Sequence, residues 1–223
     1  MDVVTALARR RSVRAFRPDP VSEAEVRALL DAARWAPSGG NLQPWRVYVV
    51  AGPARQRVID AVREKRDRAP GDDETRFEGY PPKLHEPYRT RRYTLGEAMY
   101  GLLGIPRSDR PARLAHLERN FAFFGAPVGL FFAIDERFEH PQVGHLGMFM
   151  MAVALAAEER GLSTCMQEIW QTVQRTVSGV LALPDTEKLI AGMALGYADE
   201  TAAVNRLRSE RADVDAFARF EGF

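Results

Sequence analysis

Arg9-Arg10-Arg11-Ser12-Val13-Arg14-Ala15-Phe16 places four guanidiniums and a hydroxyl within six residues, then an apolar pair able to anchor the segment to a core. Asp2 to Arg10 reads as helical, and Pro18 and Pro20 close the stretch, so the arginines fall at a bend. A planar guanidinium is the side chain best shaped for a two-pronged grip on a phosphate. An isolated charge run is more often a solvated face. A second stretch, Ala36-Pro37-Ser38-Gly39-Gly40-Asn41-Leu42-Gln43-Pro44-Trp45, changes the balance. Its two glycines permit close backbone approach, and its two amides can read the polar edge of a flat ring.

Around these stretches the chain alternates helical and extended patterns. Ser22-Glu23-Ala24-Glu25 is a capping box opening a helix to Ala36, with Val26, Leu29, Leu30 and Ala33 as its apolar stripe. Further helices are predicted over 54–68, 93–103, 111–123, 145–160 and 173–181. Strands are predicted at 45–50, 128–134, 162–166 and 188–197, where β-branched and aromatic residues cluster. The loop with the two amides thus lies between a helix and a core strand. The helix over 145–160 is apolar nearly all round, which places it centrally or at a subunit interface. Residues 66–92 lack periodicity and read as a surface loop or lid, with Arg89, Arg91 and Arg92 at its exit. The tail, 199–223, reads as an arm, with Phe217, Phe220 and Phe223 spaced three apart and a docked helix over 214–220. The class is α+β, a single domain over 1–223 with helices flanking a central sheet.

The 223 residues suffice for one large domain with a substantial core. A net charge of +1 removes any bulk electrostatic argument for nucleic acid or membrane partners. All but three of the 31 basic residues are arginine, so only clustered arginines carry weight. The single cysteine, Cys165, excludes an internal disulfide, fits a reducing cytoplasm and reads as a buried structural thiol. No basic start followed by an apolar run marks a signal peptide, and the longest apolar run, 146–157, is too short to span a bilayer. Neither a G-x-G-x-x-G nor a G-x-x-x-x-G-K-[ST] stretch is present, and the four histidines do not fall at metal-ligand spacing. No metal site and no catalytic side chain is assigned. A phosphate-gripping cluster without catalytic side chains is what a cofactor-driven enzyme presents.

RRSVRAF followed by APSGGNLQPW resembles the flavin-dependent nitroreductase family. Phe124-Gly125-Ala126-Pro127, the apolar run after His145, Gly161 to Gln167, Leu195-Gly196-Tyr197 and Asn205 to Arg211 extend the resemblance over nearly the whole chain. The resemblance implies a nitroreductase-like fold with a central mixed sheet and an intertwined homodimer. It implies tightly bound FMN, with NADH or NADPH as reductant and a nitroaromatic, quinone or similar flat electrophile as acceptor, reduced by ping-pong hydride transfer through flavin N5. Arg10, Arg11, Ser12 and Arg14 would hold the phosphate and ribityl chain, and Arg211 would close over the phosphate from the C-terminal end. Asn41 would meet the polar edge of the ring. Pro37, Ser38 and Gly39 would line the ring from the other subunit, and Gln167 and Glu168 would lie beside N5. Dehalogenation, flavin fragmentation to a benzimidazole, or simple flavin carriage are the alternatives on the same scaffold. The lysine expected of a deiodinase lid is absent between Lys83 and Lys188, although Glu97 and Tyr100 could stand in for its partners.

Overall fold

The computed structural model describes residues 1–69, 72, 74 and 80–223. Its centre is a four-stranded sheet of β1 (Arg46–Ala51), β2 (Val128–Asp135), β3 (Ser163–Gln167) and β4 (Glu187–Gly196), in the order β1-β2-β4-β3. All three pairings are antiparallel. This corrects the expected mixed sheet for the chain by itself. Among the described residues the one parallel pairing of a strand residue is an isolated bridge between Ser12 and Thr164.

Among the described residues seven α-helices surround the sheet: α1 (Val3–Arg9), α2 (Glu23–Ala33), α3 (Gly52–Arg68), α4 (Tyr88–Leu102), α5 (Arg110–Glu118), α6 (His140–Glu159) and α7 (Gln174–Leu181). The period of two along β2 divides the core. Val128, Leu130, Phe132 and Ile134 face α2 and α6, where Leu29, Leu146, Phe149 and Val153 are fully or almost fully buried. Phe131 turns to the other face and joins Val58 and Val62 of α3, Val177 of α7, Phe123 and Trp170. Glycine makes room for this aromatic layer: a Cβ at Gly129 would overlap the Phe123 ring, and one at Gly192 the Trp170 indole. The sheet is the wall between two cores.

Local signals explain most element boundaries. Ser22 and Glu25 form the expected reciprocal cap on α2. α5 stops at Glu118, short of the predicted end at residue 123, because Phe123 and Phe124 adopt left-handed backbone (φ +52° each). That turn sends Phe123 against Trp170, ring centroids 4.7 Å apart, with burial of both rings offsetting the local strain. α4 begins at Tyr88, earlier than predicted, and α6 begins at His140 behind a cap formed by Glu139 and Gln142. Residues 70, 71, 73 and 75–79 of the expected lid lie outside the described residues. In the tail the expected helix over 214–220 is a single turn, Val214–Ala216, and Phe217, Phe220 and Phe223 are exposed. Without a surface to bury its rings, so short a segment gains too little to propagate a helix.

Candidate cofactor site

The arginine bend is fixed by its backbone. After α1 ends at Arg9, the chain runs along the free edge of β3, where the Val13 N–H donates to the Thr164 carbonyl at 3.0 Å. Phe16 bridges to Ala198, and the Arg17 N–H donates to the Tyr197 carbonyl at 2.9 Å. Asn205, buried and roughly 190 residues away in sequence, completes the clamp. Its Oδ1 accepts from the Arg14 N–H at 2.8 Å, while its Nδ2 donates to the Ala15 and Asp199 carbonyls at 2.7 and 2.9 Å. With Val13 fully buried as the anchor, neighbouring side chains on this extended run must point outward.

Arg10, Arg11, Ser12 and Arg14 therefore converge on one cavity of about 70 Å³, and Arg211 meets them from the opposite end of the chain. Leu95 of α4, Leu207 and Ser209 complete the wall. Arg208 is absent from the lining. Arg211 is steadied through its Nη1, which donates to the Ser209 hydroxyl at 2.6 Å and to the Ser209 and Glu210 carbonyls at 3.0 Å. Arg14 Nη1 donates to the Ser12 carbonyl at 3.2 Å. Arg11 is arranged differently from its neighbours: its Nη2 grips both Glu200 carboxylate oxygens at 2.6 and 2.7 Å, so part of its charge is already neutralised.

The donor set suits a phosphate. Four guanidiniums and a hydroxyl face one small space, and the Nε atoms of Arg10 and Arg11 are buried without a hydrogen-bond partner. Buried donors in that state call for an acceptor. The field of the cluster reaches its surroundings. Burial pushes the Glu158 carboxyl up, and Arg11, Arg9, Arg10 and Arg208 oppose that shift. His116 falls from 6.5 to about 4 through burial, then through the positive charge of Arg119 and Arg14. Burial likewise raises the Cys165 thiol, which makes it a poor nucleophile, in keeping with a structural role.

β3 links this cavity to the next group of residues. Thr164 lies against Ser12, and Gln167 stands three residues farther along, about 10 Å at the rise of a strand. The Gln167 side chain turns inward: Nε2 donates to the Asn120 carbonyl at 2.8 Å, and Oε1 accepts from the Trp170 indole at 3.3 Å. Its side chain is thereby committed to the core, and the residue is buried. Glu168 is exposed beside it, as is Met166.

Pro37, Ser38, Gly39 and Asn41 stand apart from the arginine cavity in the same chain. Their loop is tightly wound: Gly40, Asn41 and Gln43 all have φ near +50°, a region that Gly and Asn tolerate and Gln adopts at a cost. The Ser38 hydroxyl accepts from the Gln43 N–H at 2.9 Å, and His145 Nε2 of α6 accepts from the Gly39 N–H at 3.3 Å. Neither Asn205 nor His145 was identified as a site-shaping side chain from sequence. No local motif marks a side chain whose partners are about a hundred or more residues away.

Glu97 and Tyr100, the candidate lid residues, are engaged elsewhere. Arg113 binds both Glu97 oxygens at 2.7 and 3.1 Å, and the Tyr100 hydroxyl donates to the Arg113 carbonyl at 3.4 Å.

The sequence model of the Nitroreductase family matches residues 7–197. The chain belongs to that family. It is 40% identical over 211 residues to nitrobenzene nitroreductase of Ectopseudomonas oleovorans, covering 95% of this chain and 93% of the relative. It is 39% identical over 222 residues to 4-nitrobenzoate reductase of Pseudomonas putida, covering 100% and 96%. In fold it is similar to the crystal structure of the FMN and NADPH-dependent nitroreductase NfnB from sphigopyxis sp. strain HMH, with a TM-score of 0.97, 41% identity and all of each chain covered. The nitroreductase family thus accounts for the architecture around the arginine cavity.

Proposed function

We infer that this protein is an FMN-dependent NAD(P)H oxidoreductase that reduces nitroaromatics, quinones or similar flat electrophiles. The observation that carries this reading is the cavity where Arg10, Ser12 and Arg14 meet Arg211, in a chain whose relatives reduce nitrobenzene and 4-nitrobenzoate. Arg10, Ser12, Arg14 and Arg211 hold the cofactor phosphate, and Arg11 contributes its Nε while Glu200 occupies its Nη2. The 167–168 segment would lie beside the reactive edge of the ring, where a backbone N–H would stabilise negative charge developing during reduction. Bound FMN supplies the two-electron chemistry, accepting a hydride equivalent from NAD(P)H and passing one to the acceptor in a ping-pong cycle. The chain's own residues hold the reactants in register, a contribution of roughly 7–11 kcal/mol when two bound reactants are well aligned. With Glu97 committed to Arg113 and His116 buried, the acceptor's proton comes from water or from a polar group beside the substrate.

A homodimer belongs to the same reading. Trp35 and Phe217 are 80% and 73% exposed, and α1 presents Val3, Val4 and Leu7 outward. Apolar surface of this kind is typical of a subunit interface. In a dimer the tail arm covers its partner, and Pro37, Ser38, Gly39 and Asn41 reach the partner's ring. Removal of residues 214–223 then loosens the dimer and releases FMN together, measured by sedimentation and flavin absorbance. A monomer that retains FMN tightly contradicts it. No helix among the described residues is long and apolar enough to cross a membrane, and the lone buried Cys165 supports the cytoplasm as the compartment.

The functional test is direct. Purified protein is expected to be yellow, to be bleached anaerobically by NAD(P)H without acceptor, and to regain its colour with nitrobenzene in a separate step. Reduction that requires the acceptor to be bound already contradicts the ping-pong scheme.

A further inference from the structure

A second, larger groove of about 720 Å³ lies where Pro81–Leu84 run past the first turns of α4. Lys83, Arg89, Arg92 and Tyr93 line it, with Glu97 as the one carboxylate. The cations are not equivalent. Arg89 donates through Nε to Glu86 at 2.7 Å, and Glu97 is occupied by Arg113. Among the described residues, neither Lys83 nor Arg92 has a carboxylate partner. Arg92 is held instead over the Tyr80 ring at 4.3 Å, a contact that orders a guanidinium without neutralising it. Arg107 donates to the Tyr93 hydroxyl at 3.3 Å and so fixes the ring. The groove therefore offers two uncompensated positive charges, one lining aromatic ring, Tyr93, and a volume within the range of small-molecule sites.

α4 is the wall between this groove and the arginine cavity, since Leu95 lines the cavity while Arg92, Tyr93 and Gly96 line the groove. A ligand held in the groove is thus a neighbour of whatever fills the cavity. Two open cations match the charge of a phosphate monoester, which carries about −1.5 to −2 at neutral pH. A carboxylate brings only one charge.

We propose that Lys83 and Arg92 form the subsite for the 2′-phosphate of NADPH, with the Tyr93 ring beside its adenosine, so that this groove sets the preference for NADPH over NADH. The proposal rests on the reading of the protein as an NAD(P)H oxidoreductase. Arg89, tied to Glu86, frames the site and contributes less.

The test uses the flavin-loaded protein in two parts. Calorimetric titration with 2′,5′-ADP and with 5′-AMP requires no turnover; wild type binds 2′,5′-ADP more tightly, and Arg92→Ala and Lys83→Ala remove that advantage. Steady-state rates with NADPH or NADH, each with nitrobenzene and with 4-nitrobenzoate, complete it. Each variant raises KM for NADPH by about five- to tenfold, leaves NADH and kcat unchanged, and Arg92→Lys restores part of the loss. Arg68→Ala, an ion-paired residue of α3, serves as control. Equal loss for both nucleotides, or no change for either, overturns the proposal. A shift in the 4-nitrobenzoate to nitrobenzene ratio with NADPH to NADH untouched assigns the cations to an acceptor carboxylate and overturns it too. A protein that binds 2′,5′-ADP through Arg92 but oxidises neither nucleotide keeps the subsite and refutes the oxidoreductase reading.

Discussion

The arginine bend at Arg9–Phe16 and the arginines at the start of α4 are alike in composition and differ in how their backbone is held. At the bend, Val13 is buried, the main chain pairs with Thr164, and Asn205 ties down both Arg14 and Ala15. The Arg11 side chain is only 15% exposed, whereas Arg89 is 71% exposed on a helix whose N-cap lacks a side-chain hydrogen bond. The bend's ordering entropy is met by folding, so a ligand does not have to supply it. Guanidiniums on α4 are held only by single side-chain contacts, Arg89 to Glu86 and Arg92 over Tyr80, so a ligand completes their ordering. A fixed cluster suits a cofactor that stays, and a loose one suits a substrate that leaves after each turnover.

Breaking the clamp is expected to have the largest effect. Asn205→Ala leaves the Arg14 N–H without its partner and removes one of two hydrogen bonds at the Ala15 and Asp199 carbonyls, which still accept from the Asp199 and Ala202 N–H groups, at a cost of about 1–3 kcal/mol. Urea denaturation measures this directly, and flavin occupancy falls with it because the bend loosens. Retained stability with full occupancy means that the main-chain pairing to β3 alone holds the bend.

A smaller effect concerns His116, packed against Phe124 with ring centroids 6.0 Å apart. Its folded value of about 4 lies below the ordinary 6.5, so the unfolded chain binds the extra proton first as the solution is acidified. Stability is complete above pH 6.5, declines as pH falls from 6.5 towards 4, and loses nothing further from this group below 4. With solvent relaxation discounted, the loss is roughly 1–2 kcal/mol. His116→Gln flattens that part of the curve. An unchanged slope in the variant removes His116 as its source.

Smallest is Arg11→Ala. A partly exposed pair with Glu200 is worth about 0–1 kcal/mol to stability, and FMN binding weakens less than in Arg14→Ala because Nη2 is already occupied. An equal loss in the two variants shows that Arg11 exchanges Glu200 for the phosphate.

The same contrast explains what could be read from the residues. The Arg10–Arg14 and Arg211 assembly, the cap on α2, the core strands and the buried Cys165 rest on local patterns or on a specific motif. What escaped depends on contacts remote in sequence. Asn205 acts through partners about 190 positions away, and Phe123 and Phe124 leave the helical region so that their rings reach the layer containing Trp170. The Gln167 amide serves Asn120 and Trp170 inside the core, contacts that its place in the 166–168 segment does not mark. The antiparallel order also follows from tertiary pairing, because periodicity identifies strands without setting their partners.

The most direct test of the central claim compares FMN with riboflavin on the apo-protein, since the two ligands differ only by the phosphate. Fluorescence titration is expected to show FMN bound far more tightly. Arg14→Ala should weaken FMN by about 1.5–3 kcal/mol, the range for hydrogen bonds to charged groups, and leave riboflavin unchanged. Equal affinity for the two ligands, or an equal loss of both in Arg14→Ala, contradicts the assignment of the arginine cavity to the phosphate.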